Sequence, residues 1–204
     1  MVDNDSTFFP ETESILDVRT SILQAGSALL RERGIAALTQ PKVAKMAGVK
    51  QSHLTYYFPK RSDLLLGVAA HTIDAVLSDL AARLETTPPR AAFAETLGAA
   101  MIDGIPPKIV IGLIVAADEE PALRIPLREL IGTVRARFRE MLERAGVPDS
   151  TNAALLFHAA IVGLAVMHHA QRTAASAQDA QDGIAGILHL LGAPVLSCSK
   201  ENAR

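Results

Sequence analysis

The chain has 204 residues, of which 49% are hydrophobic and 21% charged, and this composition excludes an intrinsically disordered protein. The single cysteine, Cys198, excludes an intrachain disulfide and a cysteine-based metal site. The formal net charge is −2, but residues 11–70 carry eight Lys/Arg against five Asp/Glu, whereas residues 71–204 carry twelve against fifteen. A basic N-terminal part on an acidic body indicates an anionic partner at one end of the molecule.

The N-terminal residues and the apolar stretches indicate the cellular location to expect. The N-terminal residues 1–5 are partly acidic and lack the basic start and apolar run of a signal peptide. The longest apolar stretches, Ile109–Ala117 and Ala153–Met167, are shorter than the about 18 residues that a membrane-spanning helix needs. We therefore expect a soluble cytoplasmic protein without a membrane partner.

The N-terminal part shows three helical segments. Apolar residues at spacings of three and four predict an amphipathic helix that ends at Gly34, and they are Ile15, Val18, Ile22, Ala25 and Leu29. Thr39 is a candidate cap for a second helix, which buries Val43, Ala44 and Ala47. Gly48 supplies a turn, and a third short helix is predicted over Gln51–Tyr57, before Pro59.

The remaining chain also reads as helix. Apolar periodicity and proline or glycine breaks predict helices over residues 61–84, 91–103, 108–117, 122–145, 151–173 and 177–191. No stretch alternates apolar and polar residues with the period of two that strands show. The prediction is an all-α protein of about nine helices.

The segment between Glu32 and Asp63 contains no acidic residue and six basic ones. Two short helices crossing at small residues such as Ala44 and Ala47, with a glycine turn between them, are typical of a helix-turn-helix. Such a motif places its second helix in the major groove of DNA. The outward side chains at the start of that helix are the predicted readers of base edges: Gln51, Ser52 and His53.

Further polar and basic side chains surround this predicted recognition helix. Lysine, arginine and hydroxyl groups are the usual partners of DNA phosphates. Tyr56 is compatible with either a core position or a phosphate contact, whereas Phe58 is expected in the core. The candidate DNA contacts in addition to the three base readers are Thr39, Gln40, Lys42, Lys50, Thr55, Tyr56, Tyr57, Lys60 and Arg61.

The motif resembles the TetR family of bacterial transcriptional regulators. The likeness begins at Ile22 and ends at Leu65. It runs through Ile22–Ala25, Leu29–Gly34, Leu38–Thr39, Val43–Val49, Leu54–Pro59 and Leu64–Leu65. The resemblance implies a helix-turn-helix DNA-binding domain over residues 12–60 and a larger helical ligand-binding and dimerisation domain over residues 61–195. It also implies a homodimer that binds a palindromic double-stranded operator.

Two positions depart from the family's common pattern. Lys50 replaces the usual Ser or Thr that caps the recognition helix, and Thr55 stands where the family commonly has Tyr. The family's tyrosine contact therefore does not carry over directly, and Tyr56 could face inward instead.

The resemblance implies an effector pocket among the middle helices. Few fixed charges lie among the candidate lining residues, so a small, largely apolar effector with one or two polar groups is expected. His158 is a candidate because it lies among apolar residues and could face the ligand or hydrogen-bond inside the core. The candidates are Phe93, Leu97, Met101, Ile105, Ile109, Leu113, Phe138, Met141, Phe157 and His158.

The last two predicted helices are the expected dimer interface. Their apolar stripes are Ala159, Gly163 and Leu164 on the first helix and Ile184, Ile187, Leu188 and Leu191 on the second. The same stripes could instead close a bundle within one chain, and the sequence leaves both interpretations open.

Metal binding and catalysis find no support in the sequence. His158 and His169 share a helical face but lie about 16 Å apart at 1.5 Å per residue, which is too far for one metal ion. No nucleophile motif or phosphate-binding glycine loop is present. We expect no cofactor and no enzymatic activity.

The predicted function is that of a DNA-binding transcriptional regulator, a repressor that a small-molecule effector releases from its operator. The alternative is a helical ligand-binding or protein-interaction protein without specific DNA binding.

Overall fold

The computed structural model describes residues 11–86 and 107–192, without the side chains of residues 11–17, 86 and 108. Every regular element in these ranges is helical, which confirms the all-α prediction. The helix predicted over residues 91–103 lies outside the described residues. The described α-helices are α1 (Glu11–Arg33), α2 (Gln40–Ala47), α3 (Gln51–Tyr57), α4 (Arg61–Thr86), α5 (Pro107–Glu119), α6 (Arg124–Arg144), α7 (Ser150–Gln171) and α8 (Ala174–Leu190).

Contacts divide the chain into two compact units, Met1–His71 and Thr72–Arg204. The helix α4 contributes residues to both units. Its first turns belong to the first unit because Leu64, Leu65 and Val68 are buried there. The predicted domain boundary, between residues 60 and 61, lies at the start of α4, whereas the two units divide within this helix, between His71 and Thr72.

The first unit is built around α1. Ile22, Leu29 and Leu30 are almost fully buried, so the predicted apolar face of α1 is its core face. The backbone of α1 approaches α4 closely at Gly26, since a Cβ atom there would overlap the side chain of Val68. As predicted, α1 ends before Gly34, which has a φ of 74° and donates its N–H to the carbonyl of Leu30.

The second unit has its core between α6, α7, α8 and the second half of α4. The rings of Phe138 on α6 and Phe157 on α7 meet edge to face, with centroids 5.2 Å apart. Each is about 1% exposed, and burying such a side chain contributes about 1.5–3 kcal/mol. The other core residues are Ile73, Leu77, Leu80, Val134, Met141, Leu142, Val147, Ala153, Ala154, Ile161, Ile184 and Leu188.

Capping explains why two helix boundaries differ from prediction. Helix α8 begins at Ala174 rather than at 177, because Thr173 caps it. The Thr173 hydroxyl accepts from the N–H of Ser176, and the Ser176 hydroxyl accepts from the N–H of Thr173, at 3.1 and 3.2 Å. Helix α7 ends at Gln171 because Arg172 adopts the left-handed region, with a φ of 51°.

Two helices are long and apolar enough to cross a membrane by length and composition alone, Arg61–Glu85 and Ser150–Gln171. This differs from the expectation based on uninterrupted apolar stretches, because the interrupting polar residues are few. In α4, 44% of the most apolar 18-residue stretch is buried by packing within the protein. In α7 only 22% of the corresponding stretch is buried, which leaves an exposed apolar helix face.

Candidate nucleic-acid interface and apolar cavity

The turn between α2 and α3 depends on the backbone conformation of Gly48. Its φ of 69° and ψ of 22° lie in the left-handed region, and its N–H is directed at the carbonyls of Ala44 and Lys45. The N–H of Val49 then bonds the carbonyl of Ala44 at 3.0 Å, which closes the end of α2. A Cβ atom at Gly48 would meet nothing within 4 Å, so φ rather than space requires glycine.

Helix α3 is fixed to the first unit by one buried face. Leu54 is fully buried and Phe58, just after the helix, is 4% exposed. The ring of Phe58 lies against Gly67 of α4, where an added Cβ would come within 2.7 Å of it. The prediction that Phe58 packs in the core is therefore confirmed. Val49, at the end of the turn before α3, is partly buried.

The opposite face of α3 is exposed. Gln51, Ser52 and His53, the predicted base readers, are all exposed at the N-terminal end of the helix. The Tyr56 side chain is 80% exposed, so the suggestion that it faces inward is wrong. It packs edge to face on Tyr57, with ring centroids 5.2 Å apart, and this contact extends the exposed face of α3 towards its C-terminus.

Exposed lysines flank this face. Lys42, Lys45, Lys50 and Lys60 are all exposed. The nearest acidic residue downstream, Asp63, accepts a hydrogen bond from the backbone N–H of Lys60 at 3.1 Å, so it serves the start of α4. The surface around α3 is therefore positively charged, as the acid-free stretch predicts, and it suits a polyanion.

Gln40 and Arg61 hold the helix-turn-helix together through hydrogen bonds to backbone carbonyls. The Gln40 amide Nε2 donates to the carbonyls of Phe58 and Pro59, at 2.7 and 3.1 Å, and ties the start of α2 to the end of α3. The Arg61 guanidinium donates to the carbonyls of Leu38 and Ile35, at 3.1 and 3.4 Å. The Arg61 guanidinium has further N–H donors beyond these two bonds, and DNA contacts by either side chain stay predictions.

Two threonines belong to the helix-turn-helix. Thr39 occupies the predicted N-cap position before α2 in an extended conformation, but its side chain makes no capping hydrogen bond. The Thr55 hydroxyl donates to the carbonyl of Ser52 at 3.1 Å, within its own helix. Thr39 is half-exposed, and its side chain is therefore accessible from outside.

The second unit contains an apolar cavity of about 350 Å³, a volume at the lower end of that of ligand sites. Three predicted ligand contacts, Leu113, Phe138 and His158, line it. Ile109, Met141 and Phe157 are instead buried core residues outside the lining. The other four candidates, Phe93, Leu97, Met101 and Ile105, lie outside the described residues.

The polar side of the cavity is formed by His158 and Arg135. The His158 ring lies 5.5 Å from the Phe138 ring, centroid to centroid, in an edge arrangement that orients it. Burial lowers the pKa of His158, and the positive charge of Arg135 lowers this pKa further. The imidazole is therefore neutral at neutral pH and offers one donor and one acceptor.

Sequence reasoning missed Arg135, although a signal for it exists. Arg135 lies four residues after Ile131 and three before Phe138, so all three share one face of α6 and line the cavity. Arg137 and Arg139 of the same helix are exposed instead. The signal in the sequence is a basic residue at the same helical spacing as the apolar residues Ile131 and Phe138.

The predicted dimer stripes divide between several environments. Ile184 and Leu188 are buried in the core of their own chain, which is the intramolecular interpretation of the α8 stripe. Leu164 of α7 packs on Gly183 of α8, where an added Cβ would lie 2.8 Å from it. Ala159 borders the cavity. The large apolar residues that remain exposed on these two helices are Leu155, Leu156, Met167 and Leu190.

Over the described parts of the chain, no group of three or more His, Cys, Asp or Glu side chains could hold a metal ion. His168 has a structural partner instead, since its Nδ1 lies 2.8 Å from the hydroxyl of Ser176. This contact links the end of α7 to the start of α8.

Comparison with known proteins identifies both units. The sequence matches the family of bacterial regulatory proteins called the tetR family over residues 22–68, which contain the helix-turn-helix. It also matches the tetracyclin repressor-like C-terminal domain over residues 110–191, which contain most of the cavity. No curated protein matches the sequence.

Solved structures share the fold. A transcriptional regulator from Rhodococcus sp. Rha1 is 24% identical with a TM-score of 0.60, and the alignment covers 87% of this chain and 98% of that chain. A second regulator from Rhodococcus sp. RHA1 is 18% identical with a TM-score of 0.72, covering 87% and 96%. A regulator from Saccharomonospora viridis in complex with choline is 16% identical with a TM-score of 0.60, covering 85% and 96%. Together with the two family matches, these findings show that the chain is a DNA-binding transcriptional regulator and a member of the TetR family.

Proposed function

We propose that the protein is a repressor that leaves its operator when a small molecule occupies the cavity of the second unit. The observation that carries the proposal is the presence, in one chain, of an exposed basic α3 surface and an apolar cavity of about 350 Å³. The first feature suits DNA, and the second suits a compact apolar ligand. The protein acts in the cytoplasm, where both partners are accessible.

The exposed face of α3 is proposed to read bases in the major groove. Gln51, Ser52 and His53 stand at the N-terminal end of the helix, the end that contacts base edges in helix-turn-helix proteins. Lys42 and Lys50, which are exposed beside it, are proposed to bind phosphates. Gln40 and Arg61 are proposed to position α3 through their carbonyl contacts, in addition to any phosphate contact.

A second copy of the chain is proposed to cover the exposed apolar face of α7 and the end of α8. Leu156 and Met167 are 53% and 54% exposed, and Leu190 is 80% exposed. Between the two α7 residues, Gly163 borders open space, so another helix could approach there. Dimerisation would also present two α3 helices to successive major grooves, which lie roughly 34–36 Å apart.

The link between the two functions is proposed to run through α4. This helix belongs to the first unit by Leu64 and Val68 and to the second by Ile73, which lines the cavity. A ligand that favours one position of α4 changes the spacing of the paired α3 helices. A coupling free energy of about 1–3 kcal/mol is enough for a fivefold to 150-fold loss of operator affinity.

Choline, which is bound to the Saccharomonospora viridis regulator, is not the ligand proposed for this protein. Choline is a cation, and the described cavity lining contains Arg135 and His158 but no Asp or Glu. A cation would therefore meet a positive charge without a neutralising partner.

Base reading is tested by gel shifts at physiological salt, using a duplex selected by the protein from a randomised pool. Gln51→Ala is expected to reduce the preference for the selected duplex over random DNA, by about 1–3 kcal/mol. Lys42→Ala is the matched control, since losing a phosphate contact weakens binding to both DNAs alike. A wild-type protein that binds the selected duplex no tighter than random DNA would refute the proposed function. It would favour a helical ligand-binding protein instead.

Dimerisation is tested by sedimentation of two matched variants. Leu190→Asp lies on the proposed interface, and Ile125→Asp lies on α6, away from it; these side chains are 80% and 63% exposed. Neither substitution disturbs a core residue. The dimer proposal expects Leu190→Asp to shift the protein towards monomer while Ile125→Asp sediments as the wild type does. A monomeric wild type contradicts the proposal.

A further inference from the structure

The charge of the cavity restricts the class of its ligand. The described lining consists of apolar side chains and two polar ones, Arg135 and His158. No acidic side chain lies among them. The described lining therefore presents one positive charge, with a neutral hydrogen-bonding ring beside it, in apolar surroundings.

Among the described residues, Arg135 has no ion-pair partner, unlike Arg137 and Arg139 of the same helix. Arg137 and Arg139 form exposed ion pairs with Asp74 and Glu143, each at 3.5 Å. In contrast, the Nε atom of Arg135 is buried and has no hydrogen-bond partner among the described residues. A buried donor without an acceptor costs free energy. A bound anion that accepts a hydrogen bond from this Nε would remove that cost.

His158 adds a second polar contact without competing for the anion's charge. Its ring is held by the edge contact with Phe138, at 5.5 Å between centroids. Because burial and Arg135 lower the pKa of His158, the ring is neutral and can donate one hydrogen bond. The two side chains thus provide a charged donor and a neutral donor on the lining of one cavity.

We propose that the cavity binds a compact, mostly apolar molecule that carries a single carboxylate, with this carboxylate on Arg135 and next to His158. The proposal rests on the assignment of the cavity as the effector site. The guanidinium supplies the planar donor fork that fits a carboxylate, and the surrounding Leu, Ile, Val and Phe side chains bury the apolar part. A volume of about 350 Å³ selects a short chain or a single ring system over a long lipid.

Three probes with the same tail and different head groups test the proposal by isothermal titration calorimetry of the full chain. They are octanoate, octanol and octylammonium, which differ in charge but share the apolar chain. Octanoate is expected to bind at least about tenfold more tightly than octylammonium, because a charge-assisted hydrogen bond is gained instead of a repulsion. Equal binding of octanoate and octylammonium, tighter binding of octylammonium or octanol, or binding of none of the three overturns the proposal.

Substitution of Arg135 separates a ligand-binding role from a structural one. Arg135→Met removes the charge while keeping an apolar stem, and Arg139→Met is the matched control one turn further on α6. Arg135→Met is expected to weaken octanoate binding at least tenfold and to leave octanol binding unchanged. It is also expected to maintain or raise the unfolding temperature of the free protein, because a buried unpaired group is lost. Unchanged octanoate binding in Arg135→Met, or an equal loss in Arg139→Met, contradicts the role of Arg135.

Failure of this proposal is distinguishable from failure of the proposed function. Operator binding is measured without any ligand, so specific DNA binding by a protein that prefers octylammonium keeps the regulator and overturns only the anionic ligand. Tight octanoate binding without specific DNA binding keeps the anionic ligand and overturns the proposed function.

Discussion

Gln40 offers a sharp test of how the first unit positions α3. Gln40→Met keeps the length of the side chain but removes both hydrogen bonds, to the carbonyls of Phe58 at 2.7 Å and Pro59 at 3.1 Å. The first bond is partly buried and the second is exposed, so water replaces the second more easily. At about 0.5–1.5 kcal/mol for each bond, the expected loss is about 1–2 kcal/mol of unfolding free energy.

Measuring DNA binding together with stability distinguishes a Gln40 that positions α3 from a Gln40 that contacts DNA directly. If Gln40 positions α3, Gln40→Met weakens binding to the selected duplex and lowers stability in urea unfolding. Lys42→Met serves as the control, since Lys42 is exposed on the same helix and its loss should weaken DNA binding without loss of stability. In Lys42→Met, the slope of the logarithm of the DNA-binding constant against the logarithm of the salt concentration should also fall in magnitude by about one unit. An unchanged unfolding free energy in Gln40→Met, together with weaker DNA binding, would refute the positioning role and favour a direct contact.

Two further predictions concern the turn and the cavity. Gly48→Ala should cost about 1–2 kcal/mol because of the φ of 69°, even though its Cβ has space; a change near zero in urea unfolding would show that the turn relaxes. His158 has a pKa lowered from 6.5 in the folded state, mainly by burial and then by Arg135, so the unfolded chain takes up the proton first as the pH falls. The unfolding free energy should therefore decrease as the pH falls below 6.5 towards the folded pKa, and His158→Gln should remove that part of the decrease. An identical pH profile in the variant, measured by urea unfolding, would contradict the assignment.

The helix-turn-helix was predictable because local chemistry determines it. Gly48 has to follow α2, since only glycine enters the left-handed region without strain, and α3 spans Gln51–Tyr57 as predicted. The exposure of Tyr56 was not predictable, because a tyrosine on a short helix fits either a core or a surface position. The contacts of Gln40 and Arg61 were also missed, since they join residues that are 18 to 26 positions apart in the chain.

The second unit shows what periodicity cannot decide. An apolar stripe predicts burial, but it does not say whether the partner is the same chain, a second copy or a ligand. Ile184 proved to be core, whereas Leu113 proved to line the cavity. The same ambiguity concealed Arg135, whose significance depends on the apolar side chains that α5 and α7 bring around it. Such groupings arise from tertiary packing, which a single sequence does not specify.

The most direct test of the central claim is the sequence pattern that the full-length protein enriches from a randomised pool of duplexes. A dimeric regulator that reads DNA with α3 predicts an inverted repeat. Its half-sites should be centred about 10 base pairs, or a multiple of this, apart. The enriched duplex should bind at least about a thousandfold more tightly than random DNA at physiological salt. A pool without any enriched sequence, or a single half-site without its inverted partner, would contradict the account.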